Sequence, residues 1–173
     1  MTEPAPFDPA VLRAAISAAV SSLTDAAAQD EAVAEFRDDR RVLGIRRPPA
    51  MVPLGRAWRL GVFLLGRDET LRNVGATTRA VQPPHSALYA ESAERRRQYQ
   101  AAAFRGRFAP GETVNFGTTV IDLNALTDAG PLIMRGGMPL VRWNLSAPDD
   151  SGMPFADYLA ERVALLAHPP AGA

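Results

Sequence analysis

Neither lysine nor cysteine occurs in this sequence of 173 residues, and histidine occurs only as His85 and His168. Without cysteine there is no disulfide, zinc–thiolate site, iron–sulfur cluster or thiol nucleophile. Without lysine there is no Schiff base with a carbonyl substrate or pyridoxal phosphate. The phosphate-loop lysine and the Ser-x-x-Lys nucleophile pair go with it. Two histidines cannot build a three-histidine metal site. A site of two histidines and one carboxylate would need His168, which stands in the tail His168-Pro169-Pro170. No metal and no cofactor are therefore expected. The longest apolar patch, Leu60 to Leu65, is far short of the ~20 residues that span a bilayer. The first residues, Met1-Thr-Glu-Pro-Ala-Pro, lack the basic region and apolar stretch of a secretory signal. The expectation is a cytoplasmic protein with no membrane partner.

What is present is ordinary for a globular chain: 47% apolar and 22% charged residues. The length suits one domain over 1–173, with an acidic helical segment at 1–39, sheet and helices at 40–167 and a tail at 168–173. All 19 basic side chains are arginine, against 19 acids. Residues 1–39 carry a net charge of −6, residues 40–107 carry +10 and residues 108–173 carry −4. One reading packs acidic helices beside a basic sheet. The other makes the middle third an anion-binding surface. A pI near 6.7 argues against a dedicated nucleic-acid binder.

Asp8 is a helix cap, Pro9 fits the first helical position, and Phe7 is placed to staple onto Leu12. Leu12, Ile16, Ala19, Val20 and Leu23 recur at three and four, giving an apolar stripe. Val33 and Phe36 extend helical spacing from Glu31 to Asp38. Strands are expected at Arg41–Arg47, Met51–Leu54 and Trp58–Leu65, the last apolar on both faces and therefore central in its sheet. A loop at Gly66–Glu69 leads to a long strand, Leu71–Val81, in which Gly75 marks a bulge or a close backbone approach. A middle helix spans Ser92 to Phe104 and stops at Gly106. Glu112–Leu123 reads as a strand kinked at Gly117. Pro131–Arg135 and Met138–Asn144 form a hairpin about Gly136-Gly137, and Pro139 puts the second of these strands at an edge. A last helix starts near Pro154, with Phe155, Tyr158, Leu159, Val163 and Leu166 on one side. Helices at both ends and strands in runs give an α+β fold, an antiparallel sheet of about five to seven strands with N-terminal, middle and C-terminal helices.

Arg95, Arg96 and Arg97 follow one another on a helix, so they spread over more than half its girth and cannot converge on one ligand. Glu91 and Glu94 offer them helix ion pairs. Arg79, Arg105 and Arg107 are better candidates for gripping an anion than that run, because they stand where elements end and segments converge; the alternative, equally open to them, is a structural one, in which they bond helix carbonyls or the acidic N-terminal third. Asn115, with Thr118 and Thr119, decorates the bend near Gly117. The acid–base candidates are His85, Glu112 and Asp122. On an unbroken strand the two acids share a face roughly 33 Å apart, too far to act as a pair unless the strand folds back at Gly117-Thr118. Trp58 and Trp143 read as core residues.

The stretches Trp58-Arg-Leu-Gly-Val-Phe-Leu-Leu65, Ala76-Thr-Thr-Arg-Ala-Val81, the run from Ala101 to Phe116, and Leu140-Val-Arg-Trp143 resemble a family of small actinobacterial proteins of unknown function. The resemblance covers roughly residues 40–167. Some members carry the name glutaminase, which implies amide hydrolysis. With neither lysine nor cysteine, that reaction would run outside the Ser-x-x-Lys, cysteine-nucleophile and threonine–aspartate–lysine mechanisms. Two readings follow. The favoured one is a non-catalytic binding or protein-interaction module for a small anionic ligand or a protein partner, with the Pro139 edge open to homodimer formation. The alternative is a metal-independent hydrolase in which His85, a hydroxyl and Glu112 or Asp122 converge.

Overall fold

The computed structural model describes residues 8–42, 45–83, 91–142 and 152–169. In chain order the elements are α1 (Pro9–Asp25), β1 (Glu31–Arg37), β2 (Arg40–Val42), β3 (Ile45–Arg47), β4 (Ala50–Leu60), β5 (Phe63–Gly66), β6 (Leu71–Asn73), β7 (Ala76–Arg79), α2 (Glu91–Arg105), β8 (Thr113–Phe116), β9 (Thr119–Val120), β10 (Leu132–Arg135), β11 (Met138–Val141), β12 (Met153–Pro154) and α3 (Phe155–Ala167). Seven strands form a sheet in the order β7-β8-β1-β4-β5-β6-β9, three form a sheet β10-β11-β12, and β2 pairs with β3. The pairs β1–β4, β5–β6 and β7–β8 are antiparallel, and β1–β8 is parallel. The fold is α+β. The chain divides into two compact units, each gathered from separated segments. One comprises the described residues of Met1–Gln29, Trp58–Asn73 and Val120–Ala173, the other Asp30–Ala57 and Val74–Thr119.

In the first unit, Asp8 is extended and its carboxylate accepts from the Ala10 N–H at 2.8 Å, capping α1 with Pro9 in the first turn. Leu12, Ile16, Ala19 and Leu23 are buried on one stripe of α1. They pack with Trp58 and Leu60 of β4, Phe63 and Leu65 of β5, and Phe155, Tyr158 and Leu159 of α3. The Trp58 indole N–H donates to the Ala28 carbonyl at 3.0 Å, so the buried ring leaves no orphan donor. Phe7 and Trp143 lie outside the described residues.

The expected strand Trp58–Leu65 is in fact a hairpin. Gly61-Val62 forms a two-residue turn with Gly61 at φ +62°, the left-handed conformation that a turn of this kind requires of its first residue. Leu60, Phe63, Leu64 and Leu65 are all buried, so the turn is hidden within one apolar run. The Gly136-Gly137 hairpin forms as expected, with φ +55° and +80°. Pro139, however, is on the middle strand of its sheet, not an edge strand. The physical reason is local. Pro139 faces Met134 on β10, while β12 pairs only with Leu140 and Val141. The missing N–H falls where the two-residue β12 does not reach.

In the second unit, Glu31–Arg37 is a strand and not the helix its Val33–Phe36 spacing suggests. It lies between β4 and β8, and Ala32, Val33 and Ala34 are buried in succession, as expected for a strand covered on both faces. Its register with β4 slips between Val33 and Ala34, which face Gly55 and Pro53. That bulge gives Pro53 a position in an interior strand. The expected strand Met51–Leu54 is therefore part of the continuous β4, and Arg41–Arg47 is the antiparallel pair β2–β3. Leu71–Val81 is likewise two strands, β6 and β7. At Gly75 a Cβ would collide with the Phe116 and Gly117 carbonyl oxygens, so this glycine marks a close backbone approach. The core of this unit is rich in alanine: Ala32, Ala34, Ala80, Ala102 and Ala103 surround Met51, Val114 and Phe116. Tyr99 meets Phe36 edge-to-face and Phe116 at a tilt, with ring centroids at 5.0 and 4.6 Å.

Candidate functional site

Glu112 is held in an ion-pair cluster. Arg56 donates through Nε to Asp30 Oδ1 at 2.6 Å and through Nη1 to Glu112 Oε1 at 2.5 Å, while its Nη2 reaches the Asp30 carbonyl at 3.0 Å. Glu112 Oε2 accepts from the Ala109 N–H at 2.9 Å, so both oxygens are engaged. Partial burial pushes the Glu112 carboxyl upward, but the hydrogen bonds from Arg56 and Ala109 and the charge of Arg56 together hold it below its ordinary value. Glu112 and Asp30 in turn raise Arg56. This is a carboxylate kept ionised and occupied, poorly suited to carry a proton near neutral pH.

Asp122 is exposed and accepts from the Asn124 N–H at 2.9 Å, closing a turn upon itself. His85 lies outside the described residues. Asn115 is fully buried and donates to Glu31 Oε2 at 2.8 Å and to the Ala32 carbonyl at 3.1 Å, which ties β8 to β1. Its amide is part of the fold's polar interior. No group of three or more histidine, aspartate or glutamate side chains able to hold a metal ion occurs among the described residues.

The arginine candidates separate. Arg79 is exposed at the end of β7, and Arg107 is exposed just past α2 with a positive φ of 22°. Arg105, the last residue of α2, is fixed: Nε and Nη2 both donate to the Pro49 carbonyl, at 2.9 and 2.6 Å. It borders a hollow of about 420 Å³ whose other walls include Asp39, Pro49, Pro83, Glu94, Arg97 and Ala101. Neither Arg79 nor Arg107 lines it. Arg97 pairs with Glu94 at 3.1 Å, the i,i+3 contact expected of the arginine run.

A larger concavity lies within the first unit. α1 and the residue after it contribute Ala15, Ala18, Ala19, Ser22, Asp25 and Ala26 to a groove of about 660 Å³, and α3 and the residue after it contribute Ala156, Leu159, Ala160, Val163, Ala164, Ala167 and His168. The repeat of three and four on both helices keeps these small side chains on facing surfaces, beside the stripe that enters the core. Among the described residues that line it, the groove is apolar apart from Ser22, Asp25 and His168, and Asp25 is the one carboxylate. Sequence reasoning placed Ala19, Leu159 and Val163 on apolar stripes but passed over the other alanines, which carry no chemistry. The signal available was the width of the apolar face: Ala15 and Ala18 broaden the Leu12–Ile16–Ala19–Leu23 stripe beyond what one packed neighbour covers.

Compared with known proteins, the chain matches no family model, no curated protein and no solved structure.

Proposed function

We propose that the protein is a non-catalytic binding module whose ligand seats in the groove between α1 and α3. The observation that carries this reading is the groove itself. Its size falls in the ordinary range for ligand sites, and its lining is almost wholly apolar with a few polar groups. The ligand is apolar over most of its length. Among the described residues of the wall Asp25 is the one carboxylate and no arginine occurs, so the groove favours neutral or cationic molecules over acidic ones.

The amide hydrolysis implied by the resemblance to actinobacterial proteins is the second reading. Among its acids, Glu112 is engaged on both oxygens and Asp122 closes its own turn. The two readings separate in two assays. A neutral environment-sensitive dye such as N-phenyl-1-naphthylamine should brighten on the wild-type protein. Ala18→Phe and Ala160→Leu, which fill the groove from exposed helix positions, should weaken this by about tenfold or more without lowering the melting temperature. Dye binding that survives both substitutions would remove the groove from consideration. Release of ammonia from glutamine, retained through repurification and lost in His85→Ala, would replace the binding reading by the hydrolase.

A further inference from the structure

We infer that the hollow at the end of α2 is a receptor for a small organic monocarboxylate, gripped by Arg105. This site is separate from the α1–α3 groove and does not depend on it. On α2, Arg97, Gln98, Ala101 and Arg105 fall at i, i+1, i+4 and i+8, so they share one helix face. The two arginines stand roughly 12 Å apart along the axis, and Ala101 between them leaves the space that a larger residue would fill. Pro49, Pro83 and Ala101 give the hollow apolar wall.

Arg105 is oriented before any ligand arrives. A guanidinium has five N–H donors in a fixed fork. The Pro49 carbonyl takes one from Nε and one from Nη2, which fixes the plane of the group. The Nη1–Nη2 end is the edge that a carboxylate meets with two parallel hydrogen bonds. A lysine at the same position would offer a point charge without that fork.

Charge then selects among anions. Among the described residues, the lining holds Arg97 and Arg105 against Asp39 and Glu94, a formal sum of zero. A phosphate dianion or a dicarboxylate would bring its second charge toward those carboxylates, and like charges at close range are disfavoured. A single carboxylate on a short apolar body matches one guanidinium and the proline–alanine wall. Arg105 is exposed, so the affinity is modest, in the ~mM range typical of an ion pair open to water with a small apolar contact.

The test is a titration of the intact chain by two-dimensional amide NMR with butyrate, succinate and inorganic phosphate at fixed ionic strength. Butyrate should shift the amides around Ala101 and Arg105 saturably, and more tightly than the other two. Arg105→Lys should weaken butyrate by about tenfold. Ala101→Leu, which keeps every charge and fills the hollow, should abolish the shifts with an unchanged melting curve. Absence of saturable butyrate shifts would overturn the inference. So would equal binding of all three anions, which signals diffuse charge, or butyrate binding indifferent to either substitution.

Discussion

Gly61 and Tyr158 are coupled through one oxygen atom. The Tyr158 hydroxyl accepts from the Val62 N–H at 3.0 Å and donates to the Leu60 carbonyl at 3.3 Å, bracketing the β4–β5 turn from α3. A Cβ built on Gly61 would collide with that same hydroxyl, whereas the ring carbon bearing it stands at 3.2 Å. Gly61→Ala therefore does two things. It forces an L side chain into a left-handed conformation at φ +62°, costing roughly 1–2 kcal/mol. It also displaces the hydroxyl and weakens two hydrogen bonds of about 0.5–1.5 kcal/mol each. The sum is roughly 2–5 kcal/mol, or about 4–20 °C in melting temperature for a chain of this length.

Tyr158→Phe alone loses the same two hydrogen bonds but keeps the ring against Phe63, whose centroid is 5.8 Å away. In the double variant the hydroxyl is absent, so the methyl group introduced by Gly61→Ala meets only the ring carbon, and the backbone cost remains. The double variant should be less destabilised than the sum of the singles by about 1–2 kcal/mol, within the range measured for contacting pairs. Urea or guanidinium unfolding of the four proteins supplies the cycle. Effects that add to within about 0.5 kcal/mol would refute the shared-atom argument and show that the turn does not depend on the hydroxyl.

Trp58→Ala should destabilise by about 3–5 kcal/mol, as emptying a large aromatic site does; a melting curve that does not move would show that the ring is not the core residue described. Glu112→Gln should flatten the acid limb of stability: a carboxyl held below its ordinary value of 4.5 in the folded state contributes stability that is complete above the unfolded pKa and lost as pH falls through the folded one. Denaturant midpoints measured from pH 6 downward check the sign, and a variant whose acid limb keeps the wild-type slope would count against it. The protein should release no ammonia from glutamine above buffer, measured by a coupled assay on repurified material.

Local signals in the sequence are reliable where a single residue dictates backbone geometry. Asp8-Pro9 suits the start of a helix, and Gly136-Gly137 supplies two positive φ angles where a tight hairpin needs them. Misreadings arise where the deciding partner is distant. Glu31–Arg37 holds two alanines that a helix tolerates well, with Val33 and Phe36 spaced by three, and nothing within it announces a strand. Its conformation is set by Gly55 and Pro53 on one side and Val114 and Asn115 on the other. Gly61 fails as a signal for the opposite reason. Its neighbours Leu60 and Phe63 are both buried, so hydrophobicity runs through the turn without a break, and only the glycine marks it.

The candidate sites divide along the same line. Arg105 could be read from the sequence only as a cation at a helix end, a position that serves either a ligand or nearby backbone carbonyls. What sequence could not supply is the Pro49 carbonyl, 56 residues away, which turns a mobile side chain into a fixed fork. Glu112 is legible as an acid but not as an engaged one, since Arg56, itself paired with Asp30, reaches it only through the fold. The groove is the least legible. Its walls are alanines, and alanine on a helix next to a leucine stripe reads equally well as solvent face or as packing surface. The distinction depends on the neighbouring helix: α3 sets its own small residues opposite those of α1, and a concavity results where larger side chains would have met. Ala160→Leu is therefore more than a probe of binding. If leucine fills the trough, melting temperature should rise by the burial of its added methylenes, worth about 0.8 kcal/mol each when fully enclosed. If the side chain instead stays in solvent, the melting temperature will not rise, and the two helices do not frame a groove of this volume in solution.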